Sequence, residues 1–142
     1  MEVVRYANIG PYGIQHVCTR EITLNGKLFP ARTLIQGMYT EILKGEYWND
    51  GENFRPERFL DKTGKLLAPG FHRSYVPFSA GRRGCLAESL AKLELFLVIS
   101  QLISKYKFLP DTSTNLPTMV GVPGLFLGPQ PHKVIIVARK NL

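Results

Sequence analysis

Cys85 stands between a glycine-bracketed loop and the longest helical pattern in the chain, in the run Phe78-Ser79-Ala80-Gly81-Arg82-Arg83-Gly84-Cys85-Leu86-Ala87. Gly81 and Gly84 admit backbone conformations that a Cβ would resist. Downstream, Leu86, Leu90, Leu93 and Leu97 recur at helical spacing, continued by Ile103 and broadened by Phe96 and Ile99. That stripe predicts an amphipathic helix over 85–106, with Glu88 and Lys92 able to pair at i, i+4 on its polar side. The thiol then lies at a helix N-terminus beside Arg82 and Arg83, and both features favour the thiolate, the metal-binding form of cysteine. The plain alternative is a small buried core residue. A nucleophilic cysteine would need a nearby base, and no Cys-His-Asn pattern is evident.

The rest of the chain is organised around short elements. Residues 1–8 read as the end of a helix that Gly10-Pro11 stops. It opens in mid-pattern without a cap, so the expectation is that an N-terminal part of something larger is missing. Glu21-Ile22-Thr23-Leu24 alternates, Asn25-Gly26 is a hairpin turn, and Lys27-Leu28-Phe29 returns. After Pro30, Thr33-Leu34-Ile35 is a third extended stretch, and residues 37–46 suit a short helix. Residues 47–77 are irregular, and a loop of that length is usually functional or supported by a larger body. The tail, 107–142, is punctuated by Gly121 and Pro123-Gly124 and ends in a strand at Val134-Ile135-Ile136-Val137. No internal repeat or low-complexity tract interrupts this order.

Composition narrows the function classes. With 44% hydrophobic and 20% charged residues in 142, the chain suits one modest globular domain and not a disordered one. A net charge of +7 means a solvated basic surface or an anionic partner. The basic residues are scattered and no nucleic-acid motif is present, so nucleic acid is not indicated. The two cysteines, Cys18 and Cys85, form no C-x-x-C pair, which argues against a zinc site or disulfide framework and fits a reducing compartment. No signal-peptide pattern opens the chain, and its longest apolar run, Leu95 to Ile99, is far too short to cross a bilayer.

The Cys85 run resembles the cytochrome P450 haem-binding signature, F-x-x-G-x-R-x-C-x-G. Phe78, Gly81, Arg83 and Cys85 match position by position, and Ala87 replaces the final glycine, small for small. Glu2-Val3-Val4-Arg5 matches the family's E-x-x-R helix motif, and Phe54-Arg55-Pro56-Glu57-Arg58-Phe59 its P-E-R-F segment. The three motifs fall in family order. Trp48-Asn49-Asp50-Gly51-Glu52-Asn53-Phe54 resembles the tryptophan-rich run of the animal microsomal branch, with Gly51 where proline is usual, a departure expected to loosen the turn.

The resemblance covers essentially the whole chain but only the C-terminal portion of a family member. It implies a locally α+β piece of the mainly α-helical P450 fold, with residues 1–142 as one incomplete domain. It implies haem b bound through Cys85 as axial iron ligand, a thiolate that favours O–O cleavage. Arg83 and His16 would contact haem propionates, with Phe78, Gly81 and Ala87 shaping the loop. Glu2, Arg5 and Arg58 would form a structural network. Ile9, Gly13, Ile14, Val122 and Leu125, on the apolar loops 9–14 and 121–126, are the substrate-facing candidates; core packing is their plain alternative.

The implied activity is monooxygenation of a lipophilic substrate with electrons from NADPH–cytochrome P450 reductase, or cytochrome b5 as a second donor. Arg73, Arg82 and Lys92 would offer the reductase its basic contacts. The parent would sit on the cytoplasmic face of the endoplasmic reticulum through an anchor outside this chain. The oxygen-activating acid–alcohol pair also lies outside it, so no catalytic residue is assigned. Two alternatives stand beside this reading: a non-catalytic fragment lacking the distal haem pocket, and a haem-thiolate isomerase that needs no reductase. The isolated chain is expected to bind haem weakly or not at all and to expose its apolar helix.

Overall fold

A computed structural model describes residues 1–111 and 118–139, which divide between two units. The first comprises Met1–Ser79 with Gly124–Leu127, the second Ala80–Pro123 with Gly128–Leu142.

The first unit opens with helix α1, Glu2–Ala7. Asn8 ends it in the left-handed conformation (φ 41°) and donates its N–H to the Val4 carbonyl, a C-terminal stop that asparagine tolerates. Strand β1 (His16–Val17) then pairs antiparallel with β4 (Leu34–Ile35). Between them β2 (Ile22–Leu24) and β3 (Lys27–Phe29) form a hairpin. Its tip, Asn25 at φ 48° and Gly26 at φ 76°, has both central residues left-handed, which suits the twist of the strands. Helix α2 (Tyr39–Lys44) follows, and the irregular stretch after it contains 3-10 turns at Glu46–Trp48 and Pro56–Phe59. Pro56 opens the second turn with its φ already set.

The buried apolar residues of this unit are Cys18, Leu43, Trp48 and Phe59. Trp48 and Phe59 lie 5.8 Å apart between ring centroids, and Phe59 meets Tyr75 edge-on at 5.1 Å. His72 tilts over Trp48 at 4.8 Å, and its Nε2 donates to the Arg58 carbonyl (2.7 Å). Burying a Leu or Phe side chain contributes about 1.5–3 kcal/mol, so this cluster can order a stretch that is poor in regular structure. The Leu127 N–H donates to the Ile9 carbonyl (2.7 Å), which ties the segment Gly124–Leu127 to the end of α1.

The second unit holds a 3-10 turn at Gly81–Arg83, helix α3 (Glu88–Lys105), and strands β5 (Tyr106–Pro110) and β6 (Val134–Ala138). The strands pair antiparallel from Tyr106↔Ala138 to Pro110↔Val134. Arg139 joins strand to helix: its N–H meets the Lys105 carbonyl (2.8 Å), and its Nε reaches the carbonyls of Ile103 (2.8 Å) and Tyr106 (3.2 Å). A cation at the last carbonyls of a helix is favourably placed against the helix dipole. No described residue of this unit is buried.

Two details depart from the sequence reading, and one agrees with it. Helix α3 starts at Glu88 and not at 85, because Gly84 is extended (ψ 159°) and Cys85–Ala87 form a turn before the first helical bond. The leucine stripe is exposed, as expected for this chain on its own: Leu90, Leu93, Leu97 and Ile103 are 46–57% exposed, whereas Glu88, Ala91, Leu95 and Ile99 are half-buried. A helix apolar on nearly every side gives no periodic signal of which side faces inward. Finally, β5 was not expected in the tail; its partner strand starts 24 residues beyond its own last residue, at Val134 after Pro110. Among the described residues no helix is long and apolar enough to cross a membrane.

Candidate functional site

The E-x-x-R spacing sets Glu2 and Arg5 on one face of α1, and there they meet. Arg5 is fully buried, and all five of its N–H donors are used. Nε and Nη2 hold the Glu2 carboxylate in a fork, at 2.7 and 2.8 Å. Nη1 reaches the carbonyls of Leu43 (2.6 Å) and Gly51 (2.8 Å), and Nη2 that of Asn53 (3.1 Å). A buried guanidinium is tolerable only when paired and fully hydrogen-bonded. Here three backbone carbonyls supply what the carboxylate cannot.

Arg58 enters from the Pro56–Phe59 turn. Its Nε lies 3.2 Å from Glu2 Oε1, and its terminal nitrogens reach the carbonyls of Trp48 and Asn53. Glu2 Oε1 also accepts the Arg55 backbone N–H (2.8 Å). Asp50, which the sequence did not single out, completes the arrangement: Oδ1 lies 3.2 Å from Arg58 Nη2, and Oδ2 lies 3.1 Å from Arg55 Nε. Both guanidinium groups lie over the Trp48 ring, Arg5 at 5.2 Å and Arg58 at 5.6 Å from its centroid.

The electrostatics follow. Burial alone pushes the Glu2 carboxyl up, but the hydrogen bonds from Arg5 and the Arg55 amide, with the charges of Arg5 and Arg58, hold it below the ordinary 4.5. Asp50 is likewise held below its ordinary value: the Arg58 hydrogen bond and the Arg55 charge outweigh its desolvation.

Gly51 has a positive role in this geometry. A Cβ on it would lie 1.9 Å from the Lys44 carbonyl oxygen, so a side chain there requires the backbone to shift. The glycine lets the turn close on α2 and present its own carbonyl to Arg5.

The cysteine loop is built differently. Gly81 is left-handed (φ 71°) and leads the 3-10 turn, which the Gly84 N–H closes on the Gly81 carbonyl (3.1 Å). Cys85 follows as a free, exposed cysteine. Its carbonyl accepts the Glu88 N–H (3.4 Å), which starts α3, and Ala87 occupies the N-cap without a capping side chain. Arg82, Arg83 and Ala87 are exposed. Lys92 forms an ion pair with Glu88 on the helix surface, and Arg73, in the first unit, is exposed.

The remaining candidates are spread over the chain. In the first unit, Phe78 is half-buried, and His16 is exposed in β1 opposite Ile35. Ile9 (57% exposed), Ile14 (79%) and Leu125 (84%) present apolar side chains to solvent, and the Leu127–Ile9 bond brings their two loops together. Gly13 passes against Tyr39, whose ring would lie 2.7 Å from an added Cβ. Val122 belongs to the second unit, bridged to Gly128.

The fold and these residues describe a class: helices and small antiparallel sheets that carry a cysteine loop ahead of the longest helix. Comparison with known proteins gives the family. The Cytochrome P450 family model matches residues 1–136. Cytochrome P450 2D26 of Rattus norvegicus is 39% identical over 139 residues, 97% of this chain and 27% of the relative. Cytochrome P450 2D6 of Homo sapiens is 36% identical over the same shares. A solved zebra fish cytochrome P450 structure with abiraterone superposes with a TM-score of 0.83 at 31% identity, covering 98% of this chain and 32% of that one.

The chain belongs to the cytochrome P450 family, and its local α+β structure is a piece of the mainly helical P450 fold. It spans about a quarter of the length of the curated relatives it matches.

Proposed function

We propose that a protein built on this chain is a haem-thiolate monooxygenase in which the Cys85 thiolate would hold the haem iron. The support is the pairing, in a P450 family member, of the buried Glu2–Arg5–Arg58 network with the Phe78-x-x-Gly81-x-Arg83-x-Cys85 run. The donor chemistry agrees. Cys85 is free and exposed, and the space a Cβ would fill at Gly81 is open. Among the described residues no group of three or more His, Cys, Asp or Glu could hold a metal ion. A metal at Cys85 would therefore bring its other ligands with it, as haem iron does.

When bound, the haem supplies oxygen activation and the transfer of one oxygen atom to an organic substrate, the other leaving as water. The chain's own residues bind and orient. Cys85 supplies the thiolate, and Arg83 and His16 pair with haem carboxylates. Phe78 keeps water from the sulfur, Gly81 turns the loop, and Ala87 leaves room for the helix to close on the ring. Ile9, Gly13, Ile14 and Leu125 in the first unit, and Val122 in the second, are the candidates to face a lipophilic substrate. Glu2, Arg5, Arg58 and Asp50 fix the chain between α1 and the Pro56–Phe59 turn. Electrons come from NADPH–cytochrome P450 reductase or cytochrome b5, which meet Arg73, Arg82 and the Lys92 face. The working location is the cytoplasmic face of the endoplasmic reticulum, with residues 1–142 as part of one domain.

A second reading applies to the 142-residue chain on its own: a non-catalytic form. It is favoured by the lack of any buried residue among the described residues of the Cys85-bearing unit and by the 27% share of its relatives that the chain spans. The chain alone is expected to show no carbon monoxide Soret band of thiolate type that survives gel filtration after haem loading and reduction. A stable band would remove this second reading. Joined to the coding sequence upstream of it, the chain is expected to give that band and NADPH-dependent substrate oxidation, both lost in Cys85→Ser. A thiolate band that persists in Cys85→Ser sinks the ligand assignment. Turnover without reductase would assign an isomerase instead.

A further inference from the structure

Helices α1 and α2 are joined at two points in matching register. Arg5 Nη1 donates to the Leu43 carbonyl (2.6 Å). Asn8, three residues further on at the end of α1, donates from Nδ2 to Oγ1 of Thr40, three residues back on α2 (2.8 Å). Three residues is close to one helical turn, so the two bonds hold the pair at two levels. One bond alone sets a distance, and the second sets the angle. Asn8 is 2% exposed and left-handed, a conformation that asparagine is among the few L residues to accept. Glycine could make the same turn but could not reach Thr40.

The chain leaves Asn8 directly into residues 9–14, and this segment is held along its length. The Ile9 carbonyl accepts the Leu127 N–H (2.7 Å), and the Pro11 carbonyl accepts the Tyr39 N–H (2.9 Å). Gly13 donates its N–H to the Gly37 carbonyl (2.9 Å), and its own carbonyl accepts Gln36 Nε2 (3.0 Å). Residues 9–13 therefore lie along 36–40, and Thr40 closes that stretch. The second segment, Gly124–Leu127, hangs from Ile9, the neighbour of Asn8. All of these residues belong to the first unit. Both segments carry apolar side chains of the substrate-facing set, and both are aimed from this one joint.

We propose that Asn8, acting through Thr40, is a positioning residue for substrate binding. It passes the rigidity of the buried Glu2–Arg5–Arg58 network to Ile9 and, through the Ile9 carbonyl, to the segment that bears Leu125. The inference rests on the haem-thiolate reading above. Asn8 is itself buried, so its part is to aim the two segments and not to touch the substrate.

Binding is measured in the chain joined to the coding sequence upstream of it and loaded with haem. The probes are imidazole and 1-octylimidazole. Both ligate the iron through nitrogen, and only the second carries an apolar chain for the two segments to hold. Asn8→Gly keeps the left-handed turn and removes the amide, and Thr40→Val keeps the shape and removes the acceptor. Each should weaken 1-octylimidazole relative to imidazole by about fivefold or more, the worth of one hydrogen bond. Thr40→Val should do so more strongly, because it leaves a buried donor without a partner. Thr40→Ser keeps the hydroxyl and should keep the original ratio. In the 142-residue chain the Leu127 amide should exchange hydrogen faster in Asn8→Gly and Thr40→Val, and at the original rate in Thr40→Ser. An affinity ratio unchanged in Asn8→Gly and Thr40→Val, a ratio that Thr40→Ser alters as much as Thr40→Val, or a Leu127 amide indifferent to all three overturns the proposal. Loss of the thiolate band in the variants alone marks a structural role and overturns it too. Absence of that band from the unsubstituted protein instead overturns the haem-thiolate reading, and this inference falls with it.

Discussion

The unit of Met1–Ser79 and Gly124–Leu127 closes around Leu43, Trp48 and Phe59 and buries a guanidinium with its carboxylate, whereas the described part of the unit carrying Cys85 buries no residue at all. Yet the second unit has the longer helix and the longer strands. Regular secondary structure and a packed interior are therefore separate achievements in this molecule. The first unit has short elements tied by side-chain-to-backbone bonds from Arg5 and Arg58. The second has well-formed elements whose apolar surfaces, most of α3 and all of β6, meet solvent. The unit that carries Cys85 is the one with no buried residue among those described.

This contrast can be broken by substitution. The largest effect is expected from Arg5→Ala, which leaves Glu2 buried without its main partner and should cost about 3–5 kcal/mol. The single tryptophan, Trp48, lies beside the network, so its fluorescence in a denaturant titration reads the first unit. Helical circular dichroism, dominated by α3, should change much less. An Arg5→Ala chain whose Trp48 midpoint equals that of the parent would show that the network holds nothing.

Gly51→Ala should be next, at about 1–3 kcal/mol by the same measurement, because its Cβ would strike the Lys44 carbonyl. Acid sharpens the comparison further. The Glu2 carboxyl titrates lower in the folded chain than when unfolded, so its stabilisation is complete above the ordinary 4.5 and is lost as pH falls below it. The Trp48 midpoint should drop over that range, and Glu2→Gln should flatten the dependence at a lower overall stability. The smallest effect belongs to the second unit: Leu93→Ser on the exposed side of α3 should change stability by no more than about 0.5 kcal/mol. A loss of several times that, followed by circular dichroism, would mean that the leucine face is covered.

What could be read from the sequence divides along similar lines. The Asn25-Gly26 turn was legible because its chemistry is local, and so was the shared face of Glu2 and Arg5, which needs only a helix. Arg58 was legible only through family resemblance, since nothing in the spacing of 53 residues between Arg5 and Arg58 announces a meeting. Asp50 was missed because its two contacts depend on how the stretch from Trp48 to Pro56 turns back, and that path is set by Arg5 holding the carbonyls of Gly51 and Asn53. Gly51 read as a loosening of the turn, because close approach of backbone to backbone leaves no mark on a sequence except the glycine itself. Strand β5 hid behind α3: Tyr106-Lys107-Phe108-Leu109-Pro110 directly follows the helix, and its partner comes much later.

The reach of Arg5 has a consequence for the order of events during synthesis. Its backbone acceptors, Leu43, Gly51 and Asn53, follow it by 38, 46 and 48 residues. Helix α1 thus leaves the ribosome well before these acceptors, and its guanidinium must wait for most of the unit to be translated before it can be buried. Long-range closures of this kind are slow steps in folding, and emergence runs at roughly 5–20 residues per second, so the wait lasts seconds. Until then Glu2 and Arg5 can only hold each other in water. The network that locks the finished unit is therefore also its clock.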